Sequence, residues 1–328
     1  MFRHKKSPYS RRAVTPARVV LAALALGALV AIPMFAGHAQ TTYPVTCHGT
    51  DDTAALQAAV DSAGNGAGNT VSIGAGTCAL FDHIKVDGAN GVTITGASQT
   101  TTILQQHSRV NVFRINTPGT TIENLTADTA KFQTTSLQNQ GNPDPSTLYS
   151  SASNTTVRDY TSLSGYAFGF RLTGPSPCSS DQVTGDLVDT VNVTNLGVGG
   201  RSSIDVDCNQ SVTVHNATVH GSAVTPYLDA HSTIDGLTYS RGPAGDQCES
   251  AWMVTGGQST ISNVVTNAGW GRALSGANVS VTHETTTAAA ACGTGGNGGG
   301  GGNGGGGGGG DGGGGGGGGD GGGGNGDN

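Results

Sequence analysis

The segment TIENL at residues 121–125 is a short strand-like stretch that returns along the chain with its apolar positions kept. It recurs as TVRDY at 156–160, VTVHNA at 212–217, TIDGL at 233–237 and TISNV at 260–264, and in shorter form as VTI at 92–94, TVNV at 190–193 and VSV at 279–281. Apolar and polar residues alternate within each copy, which is the pattern of a β-strand. The stretch from residue 84 to 282 therefore predicts many short strands and no long amphipathic helix.

The spacing of these copies indicates a solenoid. The central apolar residues are Ile94, Ile122, Val157, Val191, Val214, Ile234, Ile261 and Val281, which gives steps of 28, 35, 34, 23, 20, 27 and 20 residues. A recurrence in this range, with strand periodicity inside each unit, is typical of stacked β-coils, each of which must bury its apolar face against its neighbours. We expect an all-β domain of about eight coils, with loops of different lengths between them.

Both ends of the chain differ from this core in composition. Residues 1–39 combine a basic start with an apolar run at 19–32 and small residues near position 39, which is the pattern of a secretory signal peptide and is too short for a membrane span. Residues 293–328 are nearly all glycine and predict a disordered tail. The expected organisation is a signal peptide at 1–39, a solenoid domain at 40–292 and a Gly-rich tail at 293–328. We therefore expect a secreted, extracellular monomer, with cell-envelope association as an alternative.

Charge excludes several partner classes. Beyond residue 39 the chain carries nine Lys and Arg residues against 22 Asp and Glu residues, a formal net charge of −13. Such an acidic protein is not expected to bind nucleic acid or an anionic membrane through charge. A neutral polysaccharide, or an acidic one bridged by a cation, fits this balance better.

All six cysteines lie in the exported part, which predicts three disulfides in an oxidising compartment. Fifteen pairings are formally open. Their positions favour Cys47 with Cys78, which flank the first helix, and Cys248 with Cys292, which bracket the last coils; Cys178 is then left with Cys208. No CxxC pair is present, so a zinc site is not expected.

A helix is predicted ahead of the solenoid at residues 52–62, where Ala55, Leu56, Ala59 and Val60 form one apolar stripe. Thr50 or Asp51 can cap its start and Gly64 can end it. Such a helix would cover the open edge of the first coil, which would otherwise invite aggregation.

The same region resembles a known family. GTDDTAALQAAV at 49–60, TVSIGAGT at 70–77, GVTITG at 91–96 and TIL at 102–104 are similar to the opening of pectate-lyase-like, right-handed parallel β-helix proteins. This resemblance implies a right-handed parallel β-helix with a short N-terminal capping helix. The superfamily includes pectate lyases, polygalacturonases, glucanases and epimerases, so it also implies activity on polysaccharides. The matching motifs shape the fold and do not specify a reaction, and the Gly-His-Gly and Arg-Ile-Lys motifs of polygalacturonases are missing.

Candidate site residues follow from the alternation in the first strand of each unit. If Phe170, Ile204, Leu228 and Met253 face inward, a group of polar and aromatic residues on successive coils faces outward. This group consists of Arg171, Asp205, Asp207, Tyr227, Asp229, His231 and Trp252. Carboxylates beside large aromatic rings are typical of sugar-processing sites.

Two reaction types fit these residues. In a glycoside hydrolase, two of Asp205, Asp207 and Asp229 would serve as acid and base, and the spacing of Asp205 and Asp207, about 6.5 to 7 Å between Cα atoms, favours inversion. In a lyase, the three carboxylates would hold Ca²⁺ and Arg171 or Arg201 would act as base or charge stabiliser; no other cofactor is expected.

Tyr227, Trp252 and Arg201 are the predicted substrate-binding residues. Each candidate also has a purely structural interpretation: outward aspartates often bond turns, and Arg171 could simply pair with an aspartate of the next coil. The leading hypothesis is a polysaccharide hydrolase or lyase, and the alternative is a non-catalytic envelope or glycan-binding protein.

Overall fold

The computed structural model describes residues 40–132, 146–165, 168–174, 183–195, 202–207, 209–221, 227–229, 231–241, 252–255, 258–266, 272–275 and 278–286. At Asp207, Tyr227, Asp229, His231 and Trp252 it describes the backbone and its register. The predicted signal peptide and Gly-rich tail lie outside these residues, as do Arg201, Cys178, Cys208, Cys248 and Cys292.

Within the described residues the chain forms one helix of several turns and two long parallel sheets. The helix α1 spans Thr53–Gly64. The long sheet has twelve strands: β1 (Thr42–Val45), β2 (Thr70–Ile73), β3 (Gly76–Leu80), β5 (Thr93–Gly96), β6 (Thr102–Gln106), β8 (Thr121–Asp128), β10 (Thr156–Ser164), β12 (Val183–Asn195), β14 (Asn209–Gly221), β16 (His231–Arg241), β18 (Gln258–Thr266) and β20 (Asn278–Thr286). The short sheet has eight: β4 (Ile84–Val86), β7 (Phe113–Ile115), β9 (Leu148–Ser150), β11 (Phe168–Thr173), β13 (Ser202–Asp207), β15 (Tyr227–Asp229), β17 (Trp252–Thr255) and β19 (Arg272–Ser275). The chain alternates between the sheets and every pair of neighbouring strands is parallel, so the predicted parallel β-helix is confirmed.

One register row runs the length of the long sheet and forms the centre of the core. Its members are Tyr43, Val71, Ile94, Ile122, Val157, Val188, Val214, Ile234, Ile261 and Val281. From Val71 to Ile261 each side chain is at most 2% exposed. Seven of the eight predicted central residues lie in this row. The prediction was wrong at Val191, which pairs with Tyr160, because Val188 occupies the central position of that coil.

A second row explains how each long strand bends. The residue two positions after each central residue has a positive φ, between 45° and 80°, in seven consecutive coils: Asn124, Asp159, Thr190, Asn216, Gly236, Asn263 and His283. Gly, Asn and Asp tolerate this left-handed conformation, whereas a β-branched residue such as Thr190 does so only under strain. The bend shifts the alternation, so that after Ile122 the next hydrophobic residues in the core are Leu125 and Ala127. A single left-handed residue thus replaces the loop that separates β2 from β3 in the first coil.

The N-terminal cap matches its prediction. Leu56, Val60 and Ala63 of α1 are buried in the same hydrophobic core as the first strands. The predicted bond between Cys47 and Cys78 is present and joins the segment before α1 to β3. The helix runs two residues beyond its predicted end, to Gly64.

Two aspartates fix the start of this helix. Asp51, one of the two residues predicted to cap it, accepts a hydrogen bond from the Thr53 backbone N–H at 3.1 Å. The buried carboxylate of Asp52 accepts backbone N–H bonds from His48 at 3.0 Å and from Ala79 at 3.1 Å. Burial opposes the charge of Asp52, but these hydrogen bonds outweigh it and lower its pKa. Asp52 therefore ties the entry of the helix to the first coil.

No helix among the described residues is long and apolar enough to cross a membrane.

Candidate functional site

The outer face of the short sheet carries one row of polar and aromatic residues. The register places Lys85 beside Arg114, Arg114 beside Tyr149, Tyr149 beside Arg171, and Arg171 beside Asp205. The row then continues to Tyr227 and Met253. Neighbouring parallel strands lie about 4.8 Å apart, so each member is one coil from the next. We call these residues the outer row.

The buried centre of this row is an ion pair. Arg171 Nε donates a hydrogen bond to Asp205 Oδ2 at 2.6 Å, and the two side chains are 17% and 5% exposed. The residues before and after each of them, Phe170, Leu172, Ile204 and Val206, are fully buried in the core. The pair therefore lies on the outer face, as predicted, but away from bulk water. Among the predicted site residues, Arg171 and Asp205 are the two whose side chains are seen in direct contact.

Aromatic rings hold the arginine in place. The Arg171 guanidinium carbon lies 4.3 Å from the centre of the Phe168 ring and 5.9 Å from the centre of the Tyr149 ring. A guanidinium over an aromatic face gains both packing and cation–π attraction. Phe168 is buried while Tyr149 is partly exposed, so Tyr149 offers a ring at the surface beside the ion pair.

Two further aspartates end their strands beside this pair. Asp207 is the last residue of β13 and is in register with Thr173. Asp229 is the last residue of β15 and is in register with Thr255 of the following coil. Asp205 pairs with Tyr227, and Val206 pairs with Leu228. Asp207 and Asp229 are the next residues along these two strands. The backbone therefore brings the two chain positions to the same end of adjacent strands.

The predicted positions of two residues are wrong. Trp252 was expected in the outer row, but Met253 is in register with Tyr227, and Trp252 pairs with Arg272 one position earlier. His231 was expected to follow Asp229 on the same strand. It is instead the first residue of β16 in the long sheet, in register with Ser211, because the chain changes sheets at residue 230. Arg201 lies outside the described residues.

Three members of the outer row were missed from the sequence: Lys85, Arg114 and Tyr149. The signal was present, since IKV at 84–86, FRI at 113–115 and LYS at 148–150 each place one polar or aromatic residue between two inward-facing ones. Extending the alternation towards earlier coils would have found them.

The long sheet carries a second set of charges on its outer face. Arg158 Nε donates to Glu123 Oε2 at 2.5 Å, and His215 Nδ1 lies 2.9 Å from Asp189 Oδ1. Asp235 follows in the same register row, beside His215. Hydrogen bonds from the side chains of Asn263 and Ser262 lower the pKa of Asp235. These charges pair largely with one another, which supports a structural role.

Comparisons with known proteins found structural neighbours and no sequence match. No protein-family model and no curated protein matches the sequence. An alginate lyase from Paenibacillus sp. str. FPU-7 aligns at a TM-score of 0.49 and 12% identity, over 76% of this chain and 96% of the lyase. ORF18 of Geobacillus virus E2 aligns at a TM-score of 0.48 and 14% identity, over 75% of this chain and 60% of that protein. The catalytic domain of a GH87 α-1,3-glucanase aligns at a TM-score of 0.42 and 11% identity, over 75% of this chain and 45% of that domain.

All three alignments have TM-scores below 0.5. The fold assignment itself rests on the parallel register of the two sheets, and the function is argued from this chain's own residues.

Proposed function

We propose that the chain is a secreted enzyme that cleaves an extracellular polysaccharide on the outer face of the short sheet. The observation that supports this is the sequence of side chains along the outer row: Tyr149, Arg171, Asp205 and Tyr227 follow one another on four consecutive coils. A glycan lying across the coils would contact Tyr149, Arg171 and Tyr227 in turn, while Asp205 is buried and paired with Arg171. Secretion is supported by the leader composition and by the Cys47–Cys78 disulfide, since such bonds persist in oxidising compartments.

The ion pair changes which carboxylates we assign to the chemistry. Because Asp205 accepts a hydrogen bond from Arg171 and is buried, we assign it to positioning the arginine. Asp207 and Asp229 are then the reacting pair. If the register of β13 and β15 extends by one residue, their Cα atoms are about 4.8 Å apart, which is near the roughly 5–5.5 Å carboxyl separation of retaining glycosidases. The inversion expected from Asp205 and Asp207 is therefore replaced by retention.

The proposed hydrolysis has two steps. One carboxylic acid gives its proton to the glycosidic oxygen while the other carboxylate attacks the anomeric carbon, so that the C–O bond to the leaving sugar breaks and a glycosyl ester forms. The first group, now a carboxylate, then takes a proton from water, whose oxygen displaces the ester. A calcium-dependent lyase remains the alternative chemistry. The described side chains contain no group of three His, Cys, Asp or Glu that could hold a metal, and the proposed hydrolysis uses none.

A specific observation favours a second candidate function, a non-catalytic glycan-binding protein. The acidic residue of the outer row, Asp205, is paired with Arg171, and the other members whose side chains are described, Lys85, Arg114 and Tyr149, are cationic or aromatic. Such a face can bind sugar rings and their substituents without any reaction.

The experiment that separates the two candidates is an activity screen of the secreted chain on neutral and acidic polysaccharides, with and without calcium. Reducing ends would be followed together with the ultraviolet absorbance of unsaturated products. A hydrolase produces reducing ends without absorbance, and the Asp207→Asn and Asp229→Asn variants should lose at least a hundredfold in rate. The matched control is Asp235→Asn on the long sheet, which should retain full activity. Absence of products from the folded protein on every substrate would support the binding protein.

A further inference from the structure

The outer row begins with two cations that face each other directly. Lys85 of β4 and Arg114 of β7 are register partners, and both side chains are exposed. Five ion pairs are found among the described residues, and neither of these cations takes part in one. Two of the nine basic residues beyond position 39 are thus held about 4.8 Å apart in a region of the chain that carries 22 acidic residues.

This arrangement is unfavourable for the isolated protein. Like charges directly opposite each other on neighbouring strands destabilise a sheet. With so many acidic residues in the chain, an Asp or Glu at either position would have relieved the repulsion at once. Positions that break a local rule without a compensating contact are expected to be functional or strained sites.

The nearby His83 lies among charges of both signs. Burial lowers its pKa, Lys85 and Arg114 lower it further, and Asp82 and Asp87 oppose the effect. The neighbouring acidic groups are already engaged in part: Asp87 accepts a hydrogen bond from Asn116, and Asp82 from the His83 backbone N–H. Both cations therefore remain available to an external anion.

We propose that Lys85 and Arg114 form a cationic subsite that binds two carboxylates of a uronic-acid polysaccharide lying across the coils. The proposal rests on the proposed function and names its substrate class. Successive sugars of such a polymer each carry one carboxylate, and a sugar ring is about as long as the spacing between coils. Lysine supplies a point charge and arginine a planar fork suited to a carboxylate.

The row gives this polymer a continuous path. From Arg114 it passes Tyr149, whose ring can stack on a sugar, and then reaches Arg171 and Asp205. Lys85 is four coils from Asp205, or roughly 19 Å. The subsite would therefore hold a part of the substrate several sugars away from the bond that is cut. An acidic glycan then needs no bridging cation at this end, in contrast to the expectation from net charge alone.

The test is calorimetric titration of the full secreted chain with sodium polygalacturonate and with the same polymer after its carboxyl groups are reduced to alcohols. The Lys85→Gln, Arg114→Gln double variant removes both cations. We expect the native chain to bind the acidic polymer on the order of tenfold more tightly than the reduced one, and the double variant to bind both equally. Higher salt should weaken only the binding of the acidic polymer. The matched control is Lys131→Gln, an exposed cation outside the row, which should keep the difference.

Two results would overturn the proposal. One is equal binding of both polymers by the native chain; the other is a loss in Lys131→Gln as large as in the double variant, which would make net charge and not position the cause. The thermal midpoint of the double variant should be unchanged or higher because a repulsion is removed.

Cleavage is scored separately: an Asp207→Asn chain that keeps the preference for the acidic polymer supports the subsite whether or not the native chain cleaves. Cleavage of neutral polymers without any such preference contradicts the subsite alone.

Discussion

The ion pair between Arg171 and Asp205 yields a quantitative prediction. Replacing Asp205 with alanine leaves the Arg171 guanidinium, which is only 17% exposed, without its 2.6 Å partner. Removing one member of a buried pair typically costs about 3–5 kcal/mol of unfolding free energy. Since part of Arg171 reaches solvent, we expect a loss of about 3 kcal/mol. Arg171→Met leaves the Asp205 carboxylate, which is only 5% exposed, without this partner and should cost at least as much.

A double-mutant cycle isolates the pair from these side effects. The variant with both Arg171→Met and Asp205→Ala should lose about 2 kcal/mol less than the sum of the two single losses, and this difference is the coupling measured by urea unfolding. The matched control is Arg158 with Glu123 on the long sheet, a pair of the same chemistry in which the arginine is 51% exposed. Its coupling should not exceed about 1 kcal/mol. A coupling below about 0.5 kcal/mol for Arg171 and Asp205 would refute a positioning role for Asp205.

Three further predictions concern stability. Replacing Thr190 with Gly or Asn should raise the unfolding free energy by about 1 kcal/mol, because a β-branched residue holds a φ of 53° there; no gain would argue against strain at this corner. The Cys47→Ser, Cys78→Ser variant should lose about 3–4 kcal/mol under oxidising conditions, since the bond closes a loop of 31 residues, and should equal the native chain after reduction. Burial lowers the pKa of His83 below its usual 6.5, so just below that pH the unfolded chain binds more protons than the native chain. The stability of the native chain should therefore fall as the pH drops from about 6.5. His83→Gln should flatten this part of the plot of thermal midpoint against pH, and an unchanged slope would contradict the assignment.

Much of the fold could be predicted from the sequence because the solenoid repeats its signal. Each coil needs an apolar residue at the same place in the core, and Ile94, Ile122, Val157 and Val214 were found by alternation alone. The one wrong coil is the one whose corner residue is Thr190, whereas the other six corners carry Asn, Asp, Gly or His, the residues that enter the left-handed conformation most readily. Because Thr190 does not favour the left-handed conformation, the bend could not be predicted at this position. Val191 was therefore chosen as the central residue, and the true central residue, Val188, lies three positions earlier.

The candidate site was less accessible to prediction for a physical reason. Its members are neighbours across coils, and the number of residues between them depends on connecting loops. From Arg171 to Asp205 the chain passes through two connections between strands, one after β11 and one after β12, and no periodicity fixes their lengths. Alternation within a strand predicts which face a residue occupies, as it did for Arg171 and Asp205. It does not predict the register between strands. For this reason Trp252 was misplaced by one position, and the pairing of Lys85 with Arg114 was not predicted.

The parallel stacking of coils also determines the order in which this chain can fold. Among the described strands, each coil pairs with the one synthesised just before it, at a sequence distance of about 20–35 residues, so this pairing does not wait for the far end of the chain. The cap of α1 and the Cys47–Cys78 bond lie at the end that is made first. They give the first coil a closed surface before the second exists, and each later coil then has a finished template to add to. A β-helix of this design can therefore add one coil at a time during synthesis or export.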